Sequence, residues 1–254
     1  MARITYSPTT IGGKMVAEGV DYIRKGQEKL ERAVALMNSL TGGGVTPSAL
    51  EAQRILRDGS QFQWYVIPLF AFVVYVYAAE VERRNWNLVF AGLAFWGMDW
   101  FNETWNGLVL HFTQCAPVWG APGKTAFLIL IGLNIEICFM FAVAGITFTK
   151  MLPADKRLKI LGVPNRLFFA IAGSVFCVFV EFLLNQAGAL TWDYPWWNRG
   201  APWLIFLIGY LPFFLVAFWV FDMNSLKRKI GVVSAIYAFD IIGLVLFAGV
   251  LKWI

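Results

Sequence analysis

Histidine, cysteine and charge are all scarce in this sequence, and each scarcity excludes a kind of protein. A single histidine, His111, excludes iron and copper sites built from several imidazole ligands. The three cysteines, Cys115, Cys138 and Cys177, are widely separated, so they form neither a disulfide framework nor the paired spacing of a zinc site. We therefore expect no cofactor, and only an oxygen-liganded Mg²⁺ or Ca²⁺ site stays open as an alternative.

Familiar catalytic motifs are also missing. The sequence has no phosphate-binding loop, no dinucleotide fingerprint and no serine nucleophile elbow. It also lacks the aspartate-rich cluster beside basic residues that prenyl-diphosphate chemistry would need. Charged residues make up only 15% of the chain, whereas 59% of the residues are hydrophobic. This balance indicates a polytopic membrane protein, and the basic excess lies in the loops and gives no reason to expect a nucleic-acid partner.

The first sixty residues differ from the rest because their apolar positions follow a heptad pattern. The pattern runs through Val16, Val20, Ile23, Gln27, Leu30, Val34 and Met37. Such spacing predicts an amphipathic helix with one apolar seam. A second helix is expected to begin with Thr46 as N-cap and Pro47 at the first helical position. We expect residues 1–61 to form a helical hairpin outside the bilayer, which either closes on itself or docks a partner subunit through the heptad face Val16–Met37.

After Ser60 the sequence contains six apolar stretches, each long enough for the roughly 20 helical residues that cross a hydrocarbon core. They cover residues 62–80, 86–112, 124–149, 167–190, 203–221 and 230–251. The predicted fold class is an all-α polytopic membrane protein. About six transmembrane helices would form a bundle over residues 62–254, preceded by the amphipathic hairpin.

The basic residues predict an orientation. The loops after the first, third and fifth stretches carry Arg83, Arg84, Lys150, Lys156, Arg157, Lys159, Arg166, Lys227, Arg228 and Lys229. The opposite loops hold only Lys124 and Arg199, with Lys252 at the tail. The positive-inside rule places the first set in the cytoplasm and both termini outside. No apolar core follows Met1, so no signal peptide is expected. The predicted location is the cytoplasmic (inner) membrane of a prokaryote.

A polar stripe interrupts the second apolar stretch. Asp99, Asn102, Glu103 and Asn106 are spaced i, i+3, i+4 and i+7, so they share one helical face. An aspartate at a helix centre costs about 3 kcal/mol in lipid, so this face is expected to contact protein or water. The stripe is therefore a candidate for the wall of an internal pocket.

Further acids occur in the other stretches, and no lysine or arginine lies near the centres of these segments. The additional candidates are Glu136, Glu181 and Asp240, accompanied by Asn185 and Tyr237. If Asp99, Glu103 and these acids meet, they cannot all be ionised, and a neutral carboxyl group is a general acid or proton carrier. Amides and neutral acids also hold helices together by hydrogen bonds, which is the alternative for each residue taken singly.

A weak internal similarity links the second and fourth stretches. An ungapped alignment places Phe101 and Glu103 on Phe179 and Glu181, and also matches Thr113 to Thr191, Pro117 to Pro195 and Trp119 to Trp197. Each half would then supply a helix, an acid and an aromatic lid. Aromatic pocket walls are predicted from Trp96, Trp100, Trp119 and Trp197. The alternative for Trp192, Trp196 and Trp197 is a belt of tryptophans at the membrane interface.

These residue types lead to one functional hypothesis and three alternatives. Buried acids beside aromatic faces, which stabilise cations, suit an acid/base enzyme that isomerises, cyclises or hydrates an isoprenoid- or lipid-like substrate. A proton-coupled transporter would also need buried acids. A non-catalytic subunit of a larger complex would explain the heptad face, and an acidic metal site is the third alternative. The predicted partners are membrane lipids and a protein subunit, without nucleic acid.

Overall fold

A computed structural model describes residues 44–254, of which Val45–Ile254 form one compact unit. The heptad face Val16–Met37 lies outside the described residues. The unit begins with helix α1, Pro47–Ile55, and Thr46 caps it by accepting a hydrogen bond from the Ala49 backbone N–H. The predicted start of this helix is therefore confirmed. A short 3₁₀ turn, Gly59–Gln61, follows.

Six longer helices follow in the unit. They are α2 (Val66–Glu82), α3 (Trp86–Thr113), α4 (Ile135–Lys150), α5 (Asn165–Gln186), α6 (Pro202–Asp222) and α7 (Leu226–Val250). Within residues 44–254, three of them, α5, α6 and α7, are long and apolar enough to cross a membrane. Helix α3 has 28 residues and lies at the centre, packed against α4, α6 and α7.

The third predicted span, 124–149, is wrong at its beginning. Residues there form an antiparallel hairpin of β1 (Leu128–Leu130) and β2 (Leu133–Asn134), and α4 starts only at Ile135. The helix starts there because the Asn134 side chain caps it, accepting from the Ile137 N–H at 2.8 Å. A short apolar run does not distinguish a buried hairpin from a helix, which explains the error. A second hairpin, β3 (Lys159–Ile160) with β4 (Val163–Pro164), precedes α5.

One end of the bundle, the loop end, is formed by residues 45–65, 114–134 and 187–201. The Thr46 N–H donates to the Cys115 carbonyl at 2.9 Å. Gly120 and Thr191 exchange two backbone hydrogen bonds of 3.0 and 2.8 Å. These contacts join segments that are distant in sequence and fix the loops above the central helix.

The opposite end, the basic end, is formed by residues 83–85, 151–164 and 223–228. Arg166 holds Asp222 through two hydrogen bonds of 2.9 and 3.0 Å, which connects the start of α5 to the end of α6. Buried Glu80 pairs with Lys150 and connects α2 to α4. Ion pairs therefore connect the helices near the points where they begin and end.

Small residues let the central helices approach closely. A Cβ added at Gly145 of α4 would lie 2.6 Å from the Phe95 Cβ and 3.0 Å from the Gly92 Cα, both on α3. Phe95 then packs edge-on against Phe213 and Phe214 of α6. These contacts position α3 and α6 on either side of the site described next.

Candidate functional site

A cavity of about 40 Å³ lies between α3, α4, α5 and α6, beneath the loop end. Its polar wall comes from Asp99, Asn102, Glu103 and Glu181. Its aromatic wall comes from Trp119, Phe141, Trp197, Tyr210 and Phe213. The remaining lining is Gly132, Ile137, Leu190 and Gly209. None of these side chains is basic, so the acids meet without a cationic partner in the lining.

The polar stripe of α3 is turned inward. Asp99, Asn102, Glu103 and Asn106 are all buried, with 7% exposure or less. The first three line the cavity, whereas Asn106 lies one turn further along and contacts the loop above it. The stripe therefore supplies both a cavity wall and a contact that holds the loop.

Glu103 and Glu181 have similar environments. The Trp119 indole N–H donates to Glu103 at 2.8 Å, and the Trp192 indole N–H donates to Glu181 at 2.9 Å. Tyr210 also forms a hydrogen bond with Glu181. The sequence alignment paired Trp119 with Trp197, but the indole that contacts Glu181 belongs to Trp192. Each acid is thus held by a tryptophan from the loop that follows its own helix.

Asn106 connects α3 to the loop that carries Trp119. Its side-chain oxygen accepts from the backbone N–H groups of Val118 (2.7 Å) and Trp119 (3.2 Å). Its side-chain nitrogen donates to the Trp119 carbonyl at 2.7 Å and to Glu103 at 3.5 Å. A buried amide that satisfies three backbone groups fixes this loop, and therefore fixes the Trp119 indole over the cavity.

Two lining residues have polar atoms without a partner in the described part of the chain. They are Asp99, through Oδ2, and Trp197, through Nε1. The Asp99 oxygen accepts a hydrogen bond, or donates one when the carboxyl group is protonated, and the Trp197 nitrogen donates one. Asp240 on α7 does not line the cavity, and both of its oxygens also lack a partner among residues 44–254. It interacts electrostatically with Asp99, so the acids extend from the cavity towards α7.

Asn102 contacts an irregular segment of α6. Residues Ile205–Tyr210 form a π-helical stretch, and the Asn102 side-chain nitrogen donates to the carbonyls of Ile208 and Gly209 at 3.4 Å. Pro212 contributes to the irregularity because it has no N–H to donate to the Ile208 carbonyl four residues earlier. Such π segments often occur at functional sites, and this one presents Tyr210 to the cavity.

The structure does not bring Glu136 to the cavity. Its carboxylate lies at the start of α4, at the loop end, where it accepts from Thr125 Oγ1 (2.5 Å), the Ala126 N–H (2.8 Å) and Tyr65. Since its oxygens bind residues of the loop and of the α2 start, its role there is to hold those segments together. The expectation that all the candidate acids converge is corrected for this residue.

Other candidates also lie away from the cavity. The Asn185 side chain donates to the Leu190 carbonyl and accepts from Arg199. The Tyr237 hydroxyl donates to the Leu93 carbonyl at 3.1 Å. Trp96 and Trp100 are on α3 but do not line the cavity; both pack against the Leu130, Leu133 and Cys138 cluster. These four residues contact protein, and none of them lines the site.

Several residues of the site were not predicted from the sequence. Tyr210, Phe141 and Phe213 line the cavity, and Trp192 contacts Glu181. One signal was present, because Gly209 and Pro212 flank Tyr210 and mark a break in an apolar helix. Nothing comparable marks Phe141 or Phe213, which look like ordinary lipid-facing residues in the sequence. Within residues 44–254, no group of three His, Cys, Asp or Glu side chains is arranged to hold a metal ion.

The apolar helices and the buried polar cavity define an α-helical integral membrane protein. The chain belongs to a family described as an uncharacterized membrane protein family, which it matches over residues 46–249. A protein of Archaeoglobus fulgidus is 59% identical over 209 residues, which cover 82% of this chain and 99% of the relative. A second protein of that organism is 53% identical over 53 residues, 21% of this chain and 95% of its own length. No solved structure matches.

Proposed function

We propose that the protein is a six-span membrane enzyme whose cavity acids carry out acid/base chemistry on a lipophilic, isoprenoid- or lipid-like substrate. The six spans are α2 to α7. The connections between successive helices lie alternately at the loop end and at the basic end. Successive helices must therefore run in opposite directions through the bundle, which supports six spans. The basic end would face the cytoplasm of a prokaryotic cell, in agreement with the archaeal relatives.

The observation that carries the proposal is the meeting of Asp99, Glu103 and Glu181 around one cavity without a basic residue in its lining. Burial of an unpaired carboxylate is unfavourable, so at least one of these acids holds a proton. A neutral carboxyl group then donates a proton to a carbon of an alkene. A neighbouring carboxylate removes a proton from the resulting cation or from attacking water, so the reaction needs no oxidant or reductant.

The aromatic wall suits a cationic intermediate. Trp119 and Trp197 stack with their ring centres 5.5 Å apart, and Phe141 and Phe213 add two further rings to the lining. Aromatic faces attract positive charge, which would stabilise a carbocation away from water. The cavity has space for about three water molecules, so a long substrate would place only its reacting group there. Its chain would extend towards the lipid.

Deuterium uptake tests this proposal for any lipid substrate that the membrane contains. Membranes containing the protein are incubated in heavy water, and the extracted lipids are examined by mass spectrometry. Proton donation to carbon leaves deuterium in one lipid class. Glu103→Gln and Glu181→Gln should abolish this uptake, while Glu136→Gln, a carboxylate outside the cavity, should retain it. Uptake that is absent from the wild-type membranes, or unchanged in both cavity variants, contradicts the proposal.

A second candidate, a proton-coupled transporter, is favoured by one observation. Asp240 has no hydrogen-bond partner among the described residues and interacts with Asp99, which extends the acids beyond the cavity. A row of acids across a bundle is typical of a proton pathway. The heptad face Val16–Met37 is proposed, separately, as the surface for a partner subunit.

A further inference from the structure

We propose that the β3–β4 hairpin is an anchor that inserts its tip into the leaflet at the basic end and binds anionic lipid headgroups there. The tip is Leu161, whose side chain is 90% exposed. The proposal depends on the membrane class of the protein and is independent of the chemistry in the cavity.

The turn at the tip does not explain the presence of leucine. Leu161 and Gly162 are the two central residues of the hairpin turn and have φ values of +51° and +81°. A turn with two positive φ angles favours Asn or Gly at its first position, and a leucine there is strained. The Leu161 side chain also has too little contact with this protein to compensate for the strain. An apolar environment outside the protein would provide the missing contact.

The hairpin is rigidly held at its base. Buried Asn165 donates from its side chain to the carbonyls of Asp155 (2.9 Å) and Leu158 (2.7 Å). Arg166 donates to the Pro153 carbonyl at 2.7 Å while it holds Asp222. Asp222 is the last residue of a helix apolar enough to cross the membrane. The hairpin is therefore fixed at the level where a transmembrane helix ends, which is where headgroups lie.

Positive charge lies at the same end of the bundle as the tip. The exposed cations Arg157, Lys159, Lys227 and Arg228 form no ion pair within the described residues. Exposed apolar side chains lie at the same end, namely Met151, Leu158 and Leu226. An apolar tip with unpaired cations beside it matches a bilayer surface with anionic lipids, because the tip reaches the acyl chains while the cations meet the phosphates.

Spin-label accessibility tests the insertion. Leu161→Cys is prepared together with Cys177→Ala, since Cys115 and Cys138 are buried. The labelled protein is placed in phosphatidylcholine vesicles with or without phosphatidylglycerol. With phosphatidylglycerol, the label should collide more often with oxygen, which dissolves in lipid, than with a water-soluble nickel complex. Preferential collision with the nickel complex overturns the proposal.

Charge variants test the headgroup contact. Arg157→Gln and Lys159→Gln should each weaken insertion about fivefold in phosphatidylglycerol. Lys124→Gln, an exposed cation at the loop end, is the matched control and should change nothing. Insertion that is equal in the cation variants and the control refutes the role of charge.

A variant that keeps the turn separates structure from anchoring. Leu161→Asn suits the positive φ, so its unfolding temperature in detergent should equal or exceed that of the wild type. The increase in unfolding temperature caused by added phosphatidylglycerol should nevertheless be smaller in this variant. An undiminished increase contradicts the role of the tip.

Discussion

Replacement of Asn106 by alanine should destabilise the protein far more than the loss of one hydrogen bond would suggest. Asn106 is fully buried. Its side chain accepts hydrogen bonds from the backbone N–H groups of Val118 and Trp119 and donates one to the carbonyl of Trp119. In the alanine variant these three groups stay buried and lose their partner. The loop that carries Trp119 must then either move or hold unsatisfied polar groups.

The expected size follows from the number of these groups. An unsatisfied buried donor or acceptor costs about 1–3 kcal/mol, so three of them cost about 3–6 kcal/mol after some relaxation of the loop. That is a large part of the roughly 5–15 kcal/mol by which a folded domain is stable. Asn185→Ala is the matched control, since its side chain serves one backbone group, the Leu190 carbonyl. The control should lose only about 1 kcal/mol.

Unfolding by a denaturing detergent, added to micelles of a mild one, measures both variants. Tryptophan fluorescence reports the transition, and the free energy of unfolding is compared with that of the wild type. A loss in Asn106→Ala that is no larger than the loss in Asn185→Ala would refute the assignment of Asn106 as the residue that fixes the loop. The same variant should also disturb the cavity, because Trp119 donates to Glu103.

Two further predictions concern the same end of the molecule. Gly132→Ala should lower the free energy of unfolding by about 1–3 kcal/mol, because its Cβ would lie 2.5 Å from Asn106 Nδ2 and 2.6 Å from the Trp119 ring. Gly231→Ala is the control, because its Cβ would meet no atom within 4 Å, and it should stabilise α7 by about 0.5–1 kcal/mol. A Gly132→Ala variant that is as stable as the wild type would contradict the prediction. Burial raises the pKa of Tyr194, whose hydroxyl donates to the Ala116 carbonyl. The folded protein therefore holds this proton more tightly, and the stability it contributes is complete below the ordinary tyrosine pKa of about 10 and is lost as the pH rises above that value. Unfolding temperatures measured across this range should fall less steeply in Tyr194→Phe, and equal slopes would contradict the prediction.

The sequence by itself determined the features that depend on neighbouring residues. Composition indicated a membrane protein, and the Thr46–Pro47 pair predicted where α1 begins. The apolar stretches located the three helices that are suited to cross a membrane. Helical spacing also predicted that Asp99, Asn102 and Glu103 share a face, because the period of a helix is fixed by its own backbone.

Only the tertiary structure decided which acids meet. Glu103 and Glu181 line one cavity, whereas Glu136, equally acidic and also in an apolar stretch, binds Thr125 and Tyr65 elsewhere. The order of helices around the bundle results from contacts such as Gly145 against Gly92, and the loop positions result from pairs such as Gly120 with Thr191. These partners are far apart in the chain, so no local pattern contains them.

The same reason explains the hairpin at β1–β2 and the participation of Tyr210. A run of apolar residues is compatible with both a helix and a buried hairpin. Which of the two forms depends on the hydrogen bonds that the surrounding loops can make with its backbone groups. Tyr210 lies in an apolar helix, and it reaches the cavity through a π-helical stretch supported by Asn102 of α3. Periodicity therefore assigned the helices and their polar face, and packing between distant segments assembled the site.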